Sequence, residues 1–263
     1  MQNATIQAIY RYPVKGLSAQ AMPRVGLAKG LTLPADRLYA IENGPSGYDP
    51  AAPAYFPKQR FLMLMRDERL AALRTEFDDQ SHTLTITADG RQAARGDLRT
   101  AEGRADIERF FAGYCADELK GPPKVLAGSN GHTFSNMKPA HSFSDVAQKA
   151  VSIINLASVA AVEDAMGALV DPLRFRGNVY IRGWPAWHEF DLLGKEITLG
   201  SARLKVVRRI KRCAATDVEP DTGIRDLNIP QTLMQAFGHA DCGIYTEVIE
   251  GGEIALGDPV TTA

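Results

Sequence analysis

Cysteine is scarce in this chain. Its 263 residues include three, Cys115, Cys213 and Cys242. That odd number, with no pair at zinc-ligand spacing, excludes a disulfide scaffold and a zinc ribbon. Three are also too few for a [2Fe–2S] cluster held by cysteines alone, which takes four thiolates, so an electron-transfer role is expected to need a separate donor. Long apolar runs are missing as well. The longest, residues 151–162, is broken by Asn155 and Ser158 and falls short of the roughly 20 residues of a membrane helix. The N-terminus MQNATIQAIYRYPVKG has no basic segment followed by an apolar one, the pattern of a secretory leader. Charge of one sign is not in excess, with 30 Lys and Arg against 31 Asp and Glu, which argues against a chain that coats nucleic acid. Internal repeats and low-complexity tracts are absent. A reducing cytoplasm is the expected location.

What is present reads as a globular, strand-rich α+β chain, long enough for two modest domains or one large one. Strands are expected at residues 4–11, 19–27 (weakened by Pro23), 37–41, 124–127, 151–154, 178–182 and 259–262, and a buried strand at 61–65. Residues 242–249 read as the penultimate strand. Hairpins are expected to turn at Asp89-Gly90 and Gly200-Ser201. Leu70, Leu73 and Phe77 predict a helix over 66–78. Further helices are expected at 103–115, at 156–169 behind an Asn155 N-cap, and at 230–237 with proline first. Residues 44–57 and 129–144 read as loops. Gly121-Pro122-Pro123 is the best linker signal and divides the chain into 1–121 and 122–263. Short strands followed by helices, twice, point to β-barrels with attached helices.

The stretch with the most chemistry is 208–223. Cys213 follows Arg208, Arg209, Lys211 and Arg212, and precedes the turn formers Pro220, Asp221 and Gly223. If the strand over 202–210 continues evenly, Arg209, Lys211 and Cys213 share a face. Cationic surroundings favour the thiolate, the form that ligates metals and attacks electrophiles. A cysteine behind a strand is equally at home as inert packing, and the cations as the solvated face of an edge strand, so spacing leaves both readings open. Cys115, among Phe110, Phe111 and Tyr114, reads as packing. Asn155 and Ser158 open a helix behind a buried strand, a place to hold an anion on backbone N–H groups or simply to cap the helix.

The segment RCAATDVEPDTG at 212–223 resembles the metal-ligand segment of the MOSC family. Three more stretches agree in order: Tyr12-Pro13-Val14-Lys15-Gly16-Leu17 with the opening of the family's N-terminal β-barrel module, Phe175-Arg176-Gly177-Asn178-Val179 with its FRPN segment, and Gly257-Asp258-Pro259-Val260 with its closing strand. Within the family the chain is similar to the two-part proteins that include the mitochondrial amidoxime-reducing components and bacterial relatives without a fused ferredoxin domain. The resemblance implies an N-terminal β-barrel-like module over 1–121 and a MOSC β-barrel with attached helices over 122–263. It implies a molybdenum cofactor (Mo-molybdopterin) with Cys213 as the molybdenum ligand and catalytic residue. Lys15, Gly16, Arg37, Arg176, Asn178, Lys211, Arg212 and Tyr245 then bind the cofactor, joined by Asn155 and Ser158. Two departures stand out. The FRPN proline is Gly177, and the carboxylate that close relatives carry after this strand is missing, leaving Glu189 or His188 to substitute only if their loop folds inward. Trp184 and Trp187 suit either a pocket for a flat substrate or a packed corner.

The implied activity is reduction of N-hydroxylated compounds such as amidoximes, hydroxylamines and N-hydroxylated bases. Electrons would come from a separate donor protein of ferredoxin, flavodoxin or cytochrome b5 type with its reductase. The alternative is a cofactor carrier or sulfur relay that uses Cys213 as persulfide or ligand. Nucleic-acid binding through the basic strand is disfavoured, since that strand carries no interleaved aromatics.

Overall fold

The computed structural model describes residues 4–49, 57–128, 143 and 149–262. Along the chain lie β1 (Ala4–Arg11), β2 (Gln20–Ala21), β3 (Arg24–Leu27), β4 (Tyr39–Glu42), β5 (Arg74–Asp78), β6 (Thr83–Ala88), β7 (Arg91–Asp97), α1 (Ala101–Tyr114) and β8 (Lys124–Ala127). Then follow β9 (Val151–Asn155), α2 (Leu156–Met166), β10 (Val179–Arg182), β11 (Glu196–Leu199), β12 (Ala202–Lys211), α3 (Ile229–Phe237), β13 (Asp241–Glu250), β14 (Gly252–Ala255) and β15 (Pro259–Thr262). The protein is α+β and strand-rich, and its centre is a closed seven-stranded barrel in the order β10-β9-β13-β12-β11-β15-β1, with β1 returning to β10. Closure satisfies every edge of that sheet. Its interior is packed with Ile6, Ile9, Ile153, Val179, Leu204, Val206, Ile244 and Val260.

Beside the barrel stands a second unit: the antiparallel β5-β6-β7 sheet, the β4/β8 pair and α1 around Leu70, Phe77, Leu84, Ile86, Ile107 and Phe111. Thr100 caps α1 by accepting the Gly103 N–H at 3.0 Å. The β6–β7 hairpin turns where expected, with Asp89 and Gly90 both at positive φ, the two-residue geometry that matches strand twist. The linker at Gly121-Pro122-Pro123 precedes β8, which returns to pair with β4, while β1 belongs to the barrel formed by the second half. Strands therefore cross between the halves in both directions.

Several expectations change. Residues 66–78 form no α-helix: a 3-10 turn, Glu68–Ala72, leads into β5. Leu70, Leu73 and Phe77 are all buried as the spacing demanded, but in so short a window a turn plus a strand buries them equally well, and pairing of β5 with β6 decided it. Residues 61–65 are buried up to Leu64 yet contribute only one bridge, Phe61 to Glu42. The buried Asp67 carboxylate accepts the Met63 N–H at 2.8 Å and turns the chain instead. Pro23 splits 19–27 into β2 and β3. The helix at 156 stops at Met166 because Gly167 takes φ 68°. A further strand, β14, lies between β13 and β15 and pairs with β3. The loops read at 44–57 and 129–144 fall largely outside the described residues. No helix among the described residues is long and apolar enough to cross a membrane.

Candidate functional site

At the end of β12 the barrel meets the second unit across a cavity of about 310 Å³. β12 alternates buried and exposed residues to Val206 and then slips. Register shifts against β13 fall between Val206 and Arg208 and between Arg209 and Lys211. These bulges break the even alternation, so neighbouring Arg208 and Arg209 both reach the cavity. Arg208 lies over the Tyr245 ring at 5.1 Å and Arg209 over the Phe190 ring at 4.3 Å. Cys213 then continues in extended conformation into the 3-10 turn Ala214–Asp217, and its carbonyl accepts Thr216 N and Thr216 Oγ1. The thiol is half-buried, lines the cavity, and lies 3.7 Å from Lys58 Nζ. Cys115 and Cys242 are buried, and burial pushes each thiol up to about 12. Of the three sulfurs only Cys213 lines the cavity.

Arg37 and Arg176, one from each half, adopt φ 49° and 50° and bring their guanidinium groups to 4.5 and 4.3 Å from the Tyr12 ring centroid. Arg37 Nη1 bonds Asp36 Oδ2 at 2.5 Å and its Nη2 donates to the Arg176 carbonyl at 3.1 Å. Arg176 Nη2 donates to the Leu17 carbonyl at 2.8 Å. Burial raises the Tyr12 phenol, and the two arginines pull it back. Lys15 Nζ donates to the Phe143 carbonyl at 3.0 Å. Gly16 turns at φ 84°, where a Cβ would come within 3.3 Å of the Leu62 carbonyl oxygen. The Asn178 amide accepts Ser152 Oγ at 2.7 Å and donates to the Tyr10 carbonyl at 3.2 Å, joining β1 and β9 to the start of β10 beside the cavity.

The sequence therefore brought nine of its eleven candidates to one cavity: Cys213, Lys15, Gly16, Arg37, Arg176, Asn178, Lys211, Arg212 and Tyr245. Arg212 is also engaged by backbone, donating to the carbonyls of Cys242 and Phe175. Asn155 and Ser158 do not line the cavity. They hold a carboxyl that the chain itself supplies: Asn155 Nδ2 donates to Glu189 Oε2 at 2.9 Å and Ser158 Oγ to Oε1 at 2.7 Å. The loop carrying Glu189 does fold inward, but toward the start of α2. Burial raises this carboxyl against those hydrogen bonds. His188 packs edge-on against Trp184, and Trp187 stacks with Phe190 and lies tilted against Phe237, so the two tryptophans build a packed corner.

Two residues were not singled out in the sequence. Lys58 follows a Pro-rich stretch that reads as a solvent loop, and nothing local marks it as a neighbour of Cys213. Arg174 precedes the FRPN-like segment, is buried, and forms a bidentate pair with Asp226 at 2.8 and 2.7 Å, which holds Asp226 below the usual carboxylate range. Nine Lys and Arg side chains border the cavity against one acid, Asp36, and that acid is committed to Arg37 and to the Tyr12 N–H at 2.8 Å. Among the described residues no three His, Cys, Asp or Glu side chains gather as a metal cage. One thiol among many cations fits a metal that brings its other ligands on an anionic organic scaffold.

Residues 130–261 match the family model of the MOSC domain and residues 3–115 that of the MOSC N-terminal beta barrel domain. Mitochondrial amidoxime reducing component 2 of Rattus norvegicus is 26% identical over 182 residues, which is 62% of this chain and 53% of that protein. Its Homo sapiens counterpart is 32% identical over 98 residues, 33% of this chain and 29% of that protein. The chain thus spans about half the length or less of the curated relatives it matches. The solved YUAD protein from Bacillus subtilis aligns over 98% of this chain and 94% of its own at 13% identity and a TM-score of 0.44.

Proposed function

The chain belongs to the MOSC family, and from that premise we infer that it is a molybdenum-cofactor oxidoreductase that reduces N-hydroxylated compounds with electrons from a separate donor protein. One observation carries the reading: Cys213, a half-buried thiol, faces a cavity whose cations come from both halves of the molecule. Cys213 would hold the metal, and Lys15, Arg37, Arg176 and Lys211 would hold the phosphate-bearing scaffold, arginine through its planar fork and lysine as a point charge. When bound, the cofactor supplies the two-electron redox centre. Cleavage of an N–O bond consumes two electrons and two protons and releases water. With three cysteines the chain has too few for an all-cysteine [2Fe–2S] cluster, which supports an external donor.

The residues around Cys213 do the remaining work. Lys58 sets an ammonium group beside the sulfur, where it can orient an incoming oxygen by donating to it. Met63, Leu64 and Phe175 form the apolar part of the wall and keep bulk water from the reacting bond. The direct experiment combines elemental analysis with turnover of a hydroxylamine by the full chain, using a reduced viologen dye as donor. About one molybdenum per chain is expected, with turnover, and loss of both in Cys213→Ala. Metal content indifferent to that substitution would defeat the ligand assignment. Bound metal without turnover would favour a carrier.

A further inference from the structure

The segment after Cys213 does more than end a strand. Residues 214–225 loop out of the barrel and fasten onto the other half of the molecule. The Asp221 N–H donates to the Ala71 carbonyl at 3.0 Å, and the Asp221 carboxylate pairs with Arg74 at 2.9 Å. Gly223, at φ 74°, stands so close to the Glu68 carbonyl oxygen that a Cβ would come within 2.9 Å of it. At the returning end, Arg225 Nη1 donates to the Ala214 carbonyl at 2.7 Å. Its Nη2 donates to the carbonyls of Leu64 and Met65 at 3.2 and 2.9 Å and reaches Glu68 Oε2 at 3.1 Å. Ala214 directly follows Cys213, and Leu64 and Met65 line the same cavity as Cys213. One guanidinium joins the peptide that carries the sulfur to the peptide that forms the N-terminal wall.

We propose that Arg225 is a positioning residue that fixes Cys213 Sγ relative to the wall formed by Leu64 and Met65. Its consequence for how an N-hydroxy group meets the sulfur rests on the functional reading above; the placement itself does not. Arginine is the side chain for this task, because a rigid fork of five N–H donors can serve three carbonyls and a carboxylate together. A lysine keeps the charge beside Glu68 but cannot span Ala214, Leu64 and Met65 at once. The Arg225 side chain is 32% exposed, so its hold comes from four acceptors engaged at once and not from burial.

The test uses the full chain, made in a host that lacks molybdopterin, as wild type, Arg225→Lys and Arg225→Ala. The rate of alkylation by iodoacetamide is read at each cysteine by mass spectrometry, with Cys115 and Cys242, both buried, as internal reporters of global opening. Release of the Cys213 loop is expected to raise labelling at Cys213 about tenfold, in the lysine variant as well as the alanine variant, with Cys115 and Cys242 still protected. Equal Cys213 rates in all three proteins would overturn the proposal, and so would a parallel rise at all three cysteines, which marks ordinary destabilisation. In chain loaded with cofactor, both variants are expected to keep their molybdenum and lose kcat more than KM. Absence of metal and turnover in wild type would sink the functional reading and leave the labelling result to decide the role of Arg225.

Discussion

Glu189 is the residue whose chemistry departs furthest from its sequence context. It is fully buried against Asn155 and Ser158, and burial raises its carboxyl above the ordinary 4.5. A carboxyl raised in the folded state binds more protons folded than unfolded across that interval. Stability from this group is therefore complete below the ordinary Glu range and is lost as pH rises through the raised folded value. Thermal midpoints measured from pH 4 to 8 are expected to show that decline in wild type and a flatter profile in Glu189→Gln; identical slopes would remove Glu189 from the account. Gly177 answers a different question. A Cβ there would overlap Ile154 Cγ1, and its N–H donates to Tyr180 Oη at 3.0 Å. A proline, the residue the family pattern carries, would lose the donor and add the clash. Gly177→Pro is expected to cost about 3 kcal/mol in urea unfolding. The departure from FRPN is fitted to this chain's own packing.

At the scale of elements, α1 lies on β7 through two glycines. A Cβ on Gly96 would overlap the Gly103 carbonyl, and one on Gly103 would overlap the Asp97 carbonyl. Backbone cannot yield as a flexible side chain does. Gly103→Ala is therefore expected to destabilise by about 2 kcal/mol, although alanine is the better helix former in isolation; a more stable variant would contradict this packing. The elements read well where local chemistry decides them. The Asn155 cap, the Asp89-Gly90 turn and the alternation of β12 as far as Val206 are all visible in the sequence. The segment 66–78 was illegible because its three apolar residues suit a turn and strand as well as a helix. β14 was missed because four residues reading GEIA carry almost no pattern until β3 stands beside them.

At the scale of the molecule, the decisive feature is that β1 closes the barrel built by the second half. A fragment cut at the Gly121-Pro122 linker and comprising residues 122–263 lacks that strand and leaves β10 and β15 with open edges. Such a fragment is expected to show no cooperative thermal transition by circular dichroism, and to regain one when a peptide of residues 1–21 is added. A sharp transition in the fragment alone would show that the barrel closes without β1. The same crossing of strands carries Lys15 and Arg37 to the cavity from one side and Arg176 and Cys213 from the other.

The sequence by itself determined the family, the strand-rich α+β class and nine residues that share one cavity, because motif residues keep their chemical type and order wherever the chain runs. It also determined that Cys115 is packing, since rings at helical spacing surround it. Only the tertiary structure decided which cations meet the sulfur, that Asn155 and Ser158 serve Glu189 and leave the cavity to others, and that Arg225 ties the cysteine loop to the opposite wall. Lys58 and Cys213 are separated by 155 positions, and so are many pairs that never touch. Contacts across such separations depend on where barrel closure places each loop, which no local pattern encodes.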